Sequence, residues 1–182
     1  MNVNIRKAVV SDASAIATVN INTWQIAYKG IIPQSHLDSL SIKDKIPKWV
    51  KRINNLKENK KEIFVAEISD LKRSEIIGFS MGGPSHFEGY KIDGDLHAIY
   101  ILPKYWKQGI GTLLFNAIIG DFMKKQYKTM VIWALKENFA CEFYKKMGGV
   151  QKFQKTLTYG GKELDVLGFY WENLPDQSIH DQ

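Results

Sequence analysis

The stretch from Ile99 to Ile118, IYILPKYWKQGIGTLLFNAI, constrains the fold more than any other part of the chain. An apolar strand stops at Pro103, which cannot donate to a sheet ladder, and a loop with glycines at 109 and 111 then opens a helix. Leu114, Ile118 and Phe122, with Leu113 and Ala117 alongside, form one apolar stripe on that helix. A strand running through glycines into a helix belongs to a layered sheet-and-helix fold. It also makes a site. Glycine lets the backbone approach a ligand and adopt conformations other residues resist. The first N–H groups of the helix are unpaired and carry the positive end of its dipole, and Lys107 adds a full charge beside them. Together these features bind anions. The loop is not a P-loop, because G-x-x-x-x-G-K-[ST] does not occur. Nor is it a dinucleotide fingerprint, because Leu114 replaces the third glycine of G-x-G-x-x-G. Taken alone, G-x-G before a helix reads as an ordinary helix start with turn glycines; its weight comes from what surrounds it.

The remainder of the chain supplies the context. Val3 to Val10 alternates as a half-buried strand would. Ser11 and Asp12 then start a long helix faced by Ala13, Ile16, Ala17, Trp24 and Ala27, ending near Gly30. Residues 31–41, IIPQSHLDSLS, read as irregular, and a second helix is expected around Pro47 to Leu56. Strands are expected over Glu62 to Ile68, Ile76 to Met81 and Asp95 to Leu102, with residues 85–94 as a loop. After the glycine loop and its helix come a strand over Lys128 to Ala134 and a helix over Asn138 to Met147, stopped by Gly148-Gly149. A hairpin of Val150 to Thr158 and Leu164 to Trp171 turns at Tyr159-Gly160-Gly161-Lys162. The order β-α-α-β-β-β-α-β-α-β-β predicts an α/β (α+β) fold, a mixed sheet with helices on its faces. Residues 1–174 are expected to form a single domain, and the tail PDQSIHDQ, 175–182, to be mobile.

Composition narrows the classes of function. A chain of 182 residues can bury roughly 70% of its unfolded surface and folds without disulfides. The single cysteine, Cys141, excludes an intrachain disulfide and suits a reducing cytoplasm. No apolar run is long enough to span a membrane, and no secretory signal pattern opens the chain. The formal charge of +6 owes much to residues 43–61, where eight Lys or Arg face only Asp44 and Glu58. Without a nucleic-acid-binding motif beside it, such a run reads as a solvated face, so no nucleic-acid partner is expected.

Residues 95–114, DLHAIYILPKYWKQGIGTLL, resemble the acetyl-CoA-binding segment of the GNAT acetyltransferases, in which [RQ]-x-x-G-x-[GA] joins a strand to a helix. Residues 137–149, ENFACEFYKKMGG, are similar to the family's E-N-x-(x)-A-x-x-F-Y-x-x-x-G stretch in its Gly-Gly form. Residues 22–41, NTWQIAYKGIIPQSHLDSLS, resemble its first helix and following loop. One position departs: Trp106 stands where the pattern has Arg or Gln. The resemblance implies a mixed, mostly antiparallel sheet of about seven strands flanked by about four helices. It implies acetyl-CoA as co-substrate and direct attack by a primary amine within a ternary complex. By the same resemblance Ile99, Tyr100 and Ile101 lie beside the pantetheine arm, with the Ile101 amide near the thioester oxygen. Lys107, Gln108, Gly109, Ile110, Gly111 and Thr112 hold the pyrophosphate, and Asn138 hydrogen-bonds the pantetheine. Tyr144 faces the thioester sulfur, and Asp95 takes the place of a Glu that helps deprotonate the amine.

The chemistry agrees with these roles. An amine attacks a thioester only as the free base, so a base helps remove its proton. Preorganised donors stabilise the tetrahedral oxyanion, and a Tyr hydroxyl can protonate the departing thiolate. Alternatives stay open at this level: His97 or water could be the base, and Tyr144 could be core, since it borders the stripe Phe139, Phe143 and Met147. Cys141 reads as a small packing residue. The other histidines, at 36, 86 and 180, form no metal-binding spacing, so no metal is expected. The acceptor, a small-molecule or peptide amine, is expected against Trp24, Tyr28, His36, Trp49 and Tyr159. A homodimer fits the size of the chain. The competing reading is a non-catalytic CoA-binding or partner-binding module on the same fold.

Overall fold

In the computed structural model, which describes residues 2–69 and 74–174, the strands are β1 (Val3–Lys7), β2 (Glu62–Ser69), β3 (Ser74–Pro84), β4 (Gly94–Ile101), β5 (Met130–Leu135), β6 (Val150–Tyr159) and β7 (Lys162–Trp171). The helices are α1 (Ala13–Ala27), α2 (Gln34–Asp38), α3 (Ile42–Asn54), α4 (Ile110–Lys124) and α5 (Ala140–Lys146). The tail expected to be mobile, 175–182, lies outside the described residues. All seven strands join one sheet in the order β1-β2-β3-β4-β5-β7-β6. Every neighbouring pair is antiparallel except β4 and β5.

Two layers of side chains cover the sheet. On one face α1 and α3 bury Ile16, Ala17, Val19 and Trp49 against Ile63, Val65 and Phe79. On the other, Phe115, Ile118 and Phe122 of α4 pack with Leu96, Met130 and Phe169, and Cys141 and Tyr144 of α5 join them. The stripe read from the sequence at 114, 118 and 122 is therefore the buried face of α4, each of the three fully buried. Gly94 is required beneath it, since a Cβ there would come within 2.7 Å of the Phe122 ring.

The structure differs from the sequence reading in three places. The first strand ends at Lys7, and residues 10–12 form a 3-10 turn in which Asp12, not Ser11, accepts a hydrogen bond, from the Val9 N–H at 2.8 Å. The stretch 31–41 contains the short helix α2, whose Leu37 is fully buried against the β5 and β7 side chains Leu135 and Val166. The helix expected from Pro47 begins at Ile42 instead: the Ser41 hydroxyl accepts from the Asp44 N–H, a cap that fixes the start upstream of the proline. Pro47 then sits on the exposed side.

Candidate active site

Among the described residues the β4–β5 pair is the sheet's one parallel junction, and it holds for only two positions, Gly94 opposite Met130 and Asp95 opposite Val131. Beyond them the strands diverge. The cause is visible in β4. Opposite β3, Gly82 pairs with Leu96 but Met81 pairs with Ala98, so His97 is an extra residue in a β-bulge. A bulge bends its strand and ends regular pairing. It also shifts side-chain phase: Leu96 packs against α4, whereas Ala98, two residues on, packs toward α1. From there Ile99 and Ile101 face the α4 side and Tyr100 the α1 side.

A cleft of about 950 Å³ fills the space between the parted strands. Its floor is β4 from His97 to Ile101 and β5 from Ile132 to Ala134; α1 contributes Thr23, Ala27 and Tyr28, and the far wall is Asn138 to Tyr144. At one end lies the glycine loop. Lys107 and Gly109 both take left-handed conformations, with φ of 59° and 80°, so the loop curls tightly before α4. The first backbone bonds there are from the Thr112 and Leu113 amides to the Gly109 carbonyl, at 3.0 and 3.2 Å. Among the described residues, the amides of 107–111 have no backbone acceptor. Unpaired N–H groups at a helix start, with the side chains of Lys107 and Lys146 on the cleft, form an anion site.

Trp106 has a definite structural part. Its indole N–H donates to the Ile101 carbonyl at 2.6 Å, which also accepts from the Thr23 hydroxyl at 3.1 Å. Its ring packs on Phe139, with centroids 4.8 Å apart. It ties the end of β4 to the start of α5, while Thr23 joins α1 to the same carbonyl. A guanidinium or amide at this position would not supply the ring contact.

Tyr144 lies in the cleft wall, only 5% exposed, with its ring against Phe143 and Phe169. Burial, reinforced by the neighbouring Tyr100, pushes its hydroxyl far above the ordinary tyrosine range, so it keeps its proton throughout neutral and mildly alkaline pH. Burial likewise raises Tyr28 and Tyr100, whose hydroxyls are 3.5 Å apart on the α1 side.

Of the residues singled out in the sequence, Ile99, Tyr100, Ile101, Lys107, Gly109, Gly111, Thr112, Asn138 and Tyr144 line this one cleft. Gln108 points away, its amide bonded to the Lys104 carbonyl at 3.1 Å, and the Ile110 side chain is core, so these two can offer only backbone. Asn138 accepts from the Ala140 N–H at 2.8 Å, which fixes the turn into α5 and leaves its NH₂ group to donate. Asp95 is not in the cleft lining; it sits behind His97, which is. Tyr28 lines the cleft, Trp24 packs edge-on against it, Tyr159 edge-on against Trp24, and His36 edge-on against Tyr159. Trp49 does not join them. It is 3% exposed and stacked edge-on to Phe79 beneath α3. Cys141 is buried, its thiol donating to the Leu135 carbonyl at 3.3 Å and pushed up in pKa by burial, as befits packing. Sequence reasoning missed Thr23, Trp133 and Phe139 as cleft residues. Thr23 and Trp133 sit in elements whose local pattern reads only as helix or strand.

A parted parallel pair with a loop of unpaired amides forms a cleft on a mixed sheet that can take an anionic ligand. Residues 27–149 match the model of the acetyltransferase (GNAT) family. An uncharacterised N-acetyltransferase of Bacillus subtilis, YuaI, is 30% identical over 172 residues, 94% of each chain. The chain therefore belongs to the GNAT family and is an N-acetyltransferase. The fold recurs in solved structures. YncA, a putative acetyltransferase of Salmonella typhimurium solved with acetyl-CoA, is 17% identical and superposes with a TM-score of 0.68 over 100% of this chain and 99% of its own. The PaiA N-acetyltransferase of Thermoplasma acidophilum, solved with coenzyme A, is 20% identical with a TM-score of 0.68 over 92% and 98%. An N-acetyltransferase of Staphylococcus aureus is 19% identical with a TM-score of 0.72 over 94% and 98%.

Proposed function

We propose that the protein transfers the acetyl group of acetyl-CoA to a primary amine by direct attack, with both substrates in the cleft at once. The observation that carries this is that one cavity is lined both by the loop residues whose amides have no backbone acceptor and by Thr23, Tyr28 and Tyr144. Amides 107–111, the Thr112 hydroxyl and the Lys107 ammonium hold the pyrophosphate. Ile99, Tyr100 and Ile101 lie along the pantetheine arm, and the Asn138 NH₂ bonds it. Tyr144, in the wall of the cleft, protonates the leaving sulfur. A base at the bulged end of β4, the Asp95–His97 neighbourhood, frees the amine. The acceptor is a small-molecule or peptide amine whose body lies against Tyr28 and Trp133. The reaction runs in the cytoplasm, in keeping with a lone, unpaired cysteine.

The test is release of free CoA thiol from acetyl-CoA with a panel of primary amines. Amine-dependent turnover supports the reading. Tight acetyl-CoA binding without turnover of any amine would leave a binding module.

A further inference from the structure

On the face of the sheet toward α1, Trp133 of β5, Gly168 of β7 and Phe153 of β6 stand in one row, and Leu135, Val166 and Lys155 in the next. Gly168 gives Trp133 its room, since a Cβ at 168 would come within 3.0 Å of the indole ring. The indole therefore crosses β7 and reaches β6, where Lys155 Nζ stands 3.8 Å from its ring centroid. On the same face Lys152 Nζ stands 4.4 Å from the Tyr170 ring and donates to the Tyr90 hydroxyl at 2.5 Å. An aromatic face attracts an ammonium without neutralising it. Neither lysine is in an ion pair among the described residues. The carboxylates that act on them do so from a distance, Asp95 on Lys155 and Glu172 on Lys152. In the cleft lining, Glu142 is the only carboxylate among the described residues, and it is paired with Lys145 at 2.7 Å. An acceptor lying against Trp133 thus meets positive charge and finds no cleft carboxylate free for a second ammonium.

We propose that Lys155 selects the acceptor by charge, and that the amine acetylated here carries a carboxylate or other anionic group remote from its reacting nitrogen; this rests on the acetyl-transfer reading above. Trp133 lines the cleft and carries Lys155 on its ring, so the ammonium stands beside the acceptor's space and not at the reacting atoms. An amine with a distal carboxylate pairs with that ammonium. A polyamine brings a like charge to it, which costs binding. Stacking already restrains the lysine side chain, so less of its freedom is lost when an anion binds. Lys152 adds to the same positive field from its place over Tyr170. Lys155 is thus a specificity residue and takes no part in making or breaking a bond. A lysine that only shielded the Trp133 ring would cost stability when replaced and leave the acceptor preference untouched.

The experiment uses butylamine, 4-aminobutyrate and putrescine, which share chain length and a reacting primary amine and differ in the charge of the far end. With acetyl-CoA and the wild type, kcat/KM should fall in the order 4-aminobutyrate, butylamine, putrescine, by about two- to fivefold per unit of charge. Added NaCl should narrow the spread, because salt screens a partly exposed pair. Lys155→Arg should keep the order, and Lys155→Glu should reverse it. Equal rates for the three amines in the wild type, or an unreversed order in Lys155→Glu, overturns the proposal. The same series is also read without turnover, as calorimetric Kd values in the complex with CoA. If no amine is acetylated while the Kd order holds and reverses in Lys155→Glu, the acetyl-transfer reading fails and the selection by charge stands. If none of the three binds while other amines are acetylated, the selection by charge falls and the acetyl-transfer reading stands.

Discussion

Replacing Tyr144 by Phe separates chemistry from packing. The ring is held by Phe143, with centroids 5.5 Å apart, and Phe169, at 5.9 Å, and Phe keeps both contacts. What is lost is one hydroxyl facing the cleft, about 1 kcal/mol of stability at most. For a chain of this size that is about 2–4 °C in Tm. A general acid should lose about 10²–10⁴ in turnover, which is about 2.7–5.4 kcal/mol of barrier. The two scales are far enough apart to read independently. The raised pKa adds a pH signature: the hydroxyl stays protonated well past the ordinary tyrosine range, so the wild-type kcat profile should show no basic limb from this group up to about pH 10. The assay is steady-state thiol release on any working amine, with a melting curve and an acetyl-CoA titration of the same variant. Near-wild-type kcat in a folded, acetyl-CoA-binding Tyr144→Phe protein would refute the role and leave Tyr144 as core.

Acetyl-CoA at 100 times its Kd should raise stability by about 2.7 kcal/mol, and Gly109→Val should remove that shift, because a branched residue at φ 80° strains the loop; an undiminished shift in the variant would show that the loop does not hold the ligand. Trp106→Gln loses the bond to the Ile101 carbonyl and the Phe139 contact, and should cost about 1–2 kcal/mol of stability while the acetyl-CoA shift persists; binding lost in a stable variant would mean that Trp106 touches the ligand instead. Arg6 holds Asp12 with two bonds at 2.7 and 3.0 Å, and Glu67 through Nε at 2.9 Å. Burial pushes Asp12 up, but the Arg6 fork and the Val9 amide outweigh it, so both carboxyls lie below their ordinary values. Their contribution is present above the unfolded carboxyl range and is lost as pH falls through the folded values. Arg6→Met should therefore cost about 2–3 kcal/mol in urea melts above about pH 5, with the gap closing toward about pH 2; a gap independent of pH would argue that Arg6 acts by packing alone.

How much of this was legible in advance follows from the range of the interactions concerned. The stripe at 114, 118 and 122, the Gly109 turn and the hairpin at 159–162 all depend on residues within a few positions of one another. Periodicity and turn chemistry suffice to read them, and family motifs then attached a chemistry to them. The stripe read at Phe139, Phe143 and Met147, by contrast, was not the buried side of α5, which is Cys141 and Tyr144, with Phe139 57% exposed. The Pro47 helix start was misread because a proline signal was weighed above the Ser41 cap six residues earlier. Trp49 was misplaced because an aromatic side chain looks the same in a core as in a pocket until its neighbours are known.

Tertiary structure alone decided the rest. Whether His97 or Asp95 meets the cleft depends on which β3 residues lie opposite β4, since the bulge exists only in the mismatch between Met81–Gly82 and Leu96–Ala98. In an unbulged strand 95 and 97 would share one face, as the chain alone implies. The opening between β4 and β5 is a failure of pairing between segments some 35 residues apart, and it leaves no mark in either segment. The Ile101 carbonyl is satisfied by Trp106 from the following loop and by Thr23, 78 residues away. Local sequence encodes conformational preference, which is short-ranged; a catalytic cleft is made from register and long-range hydrogen bonds, which exist only once the strands have met.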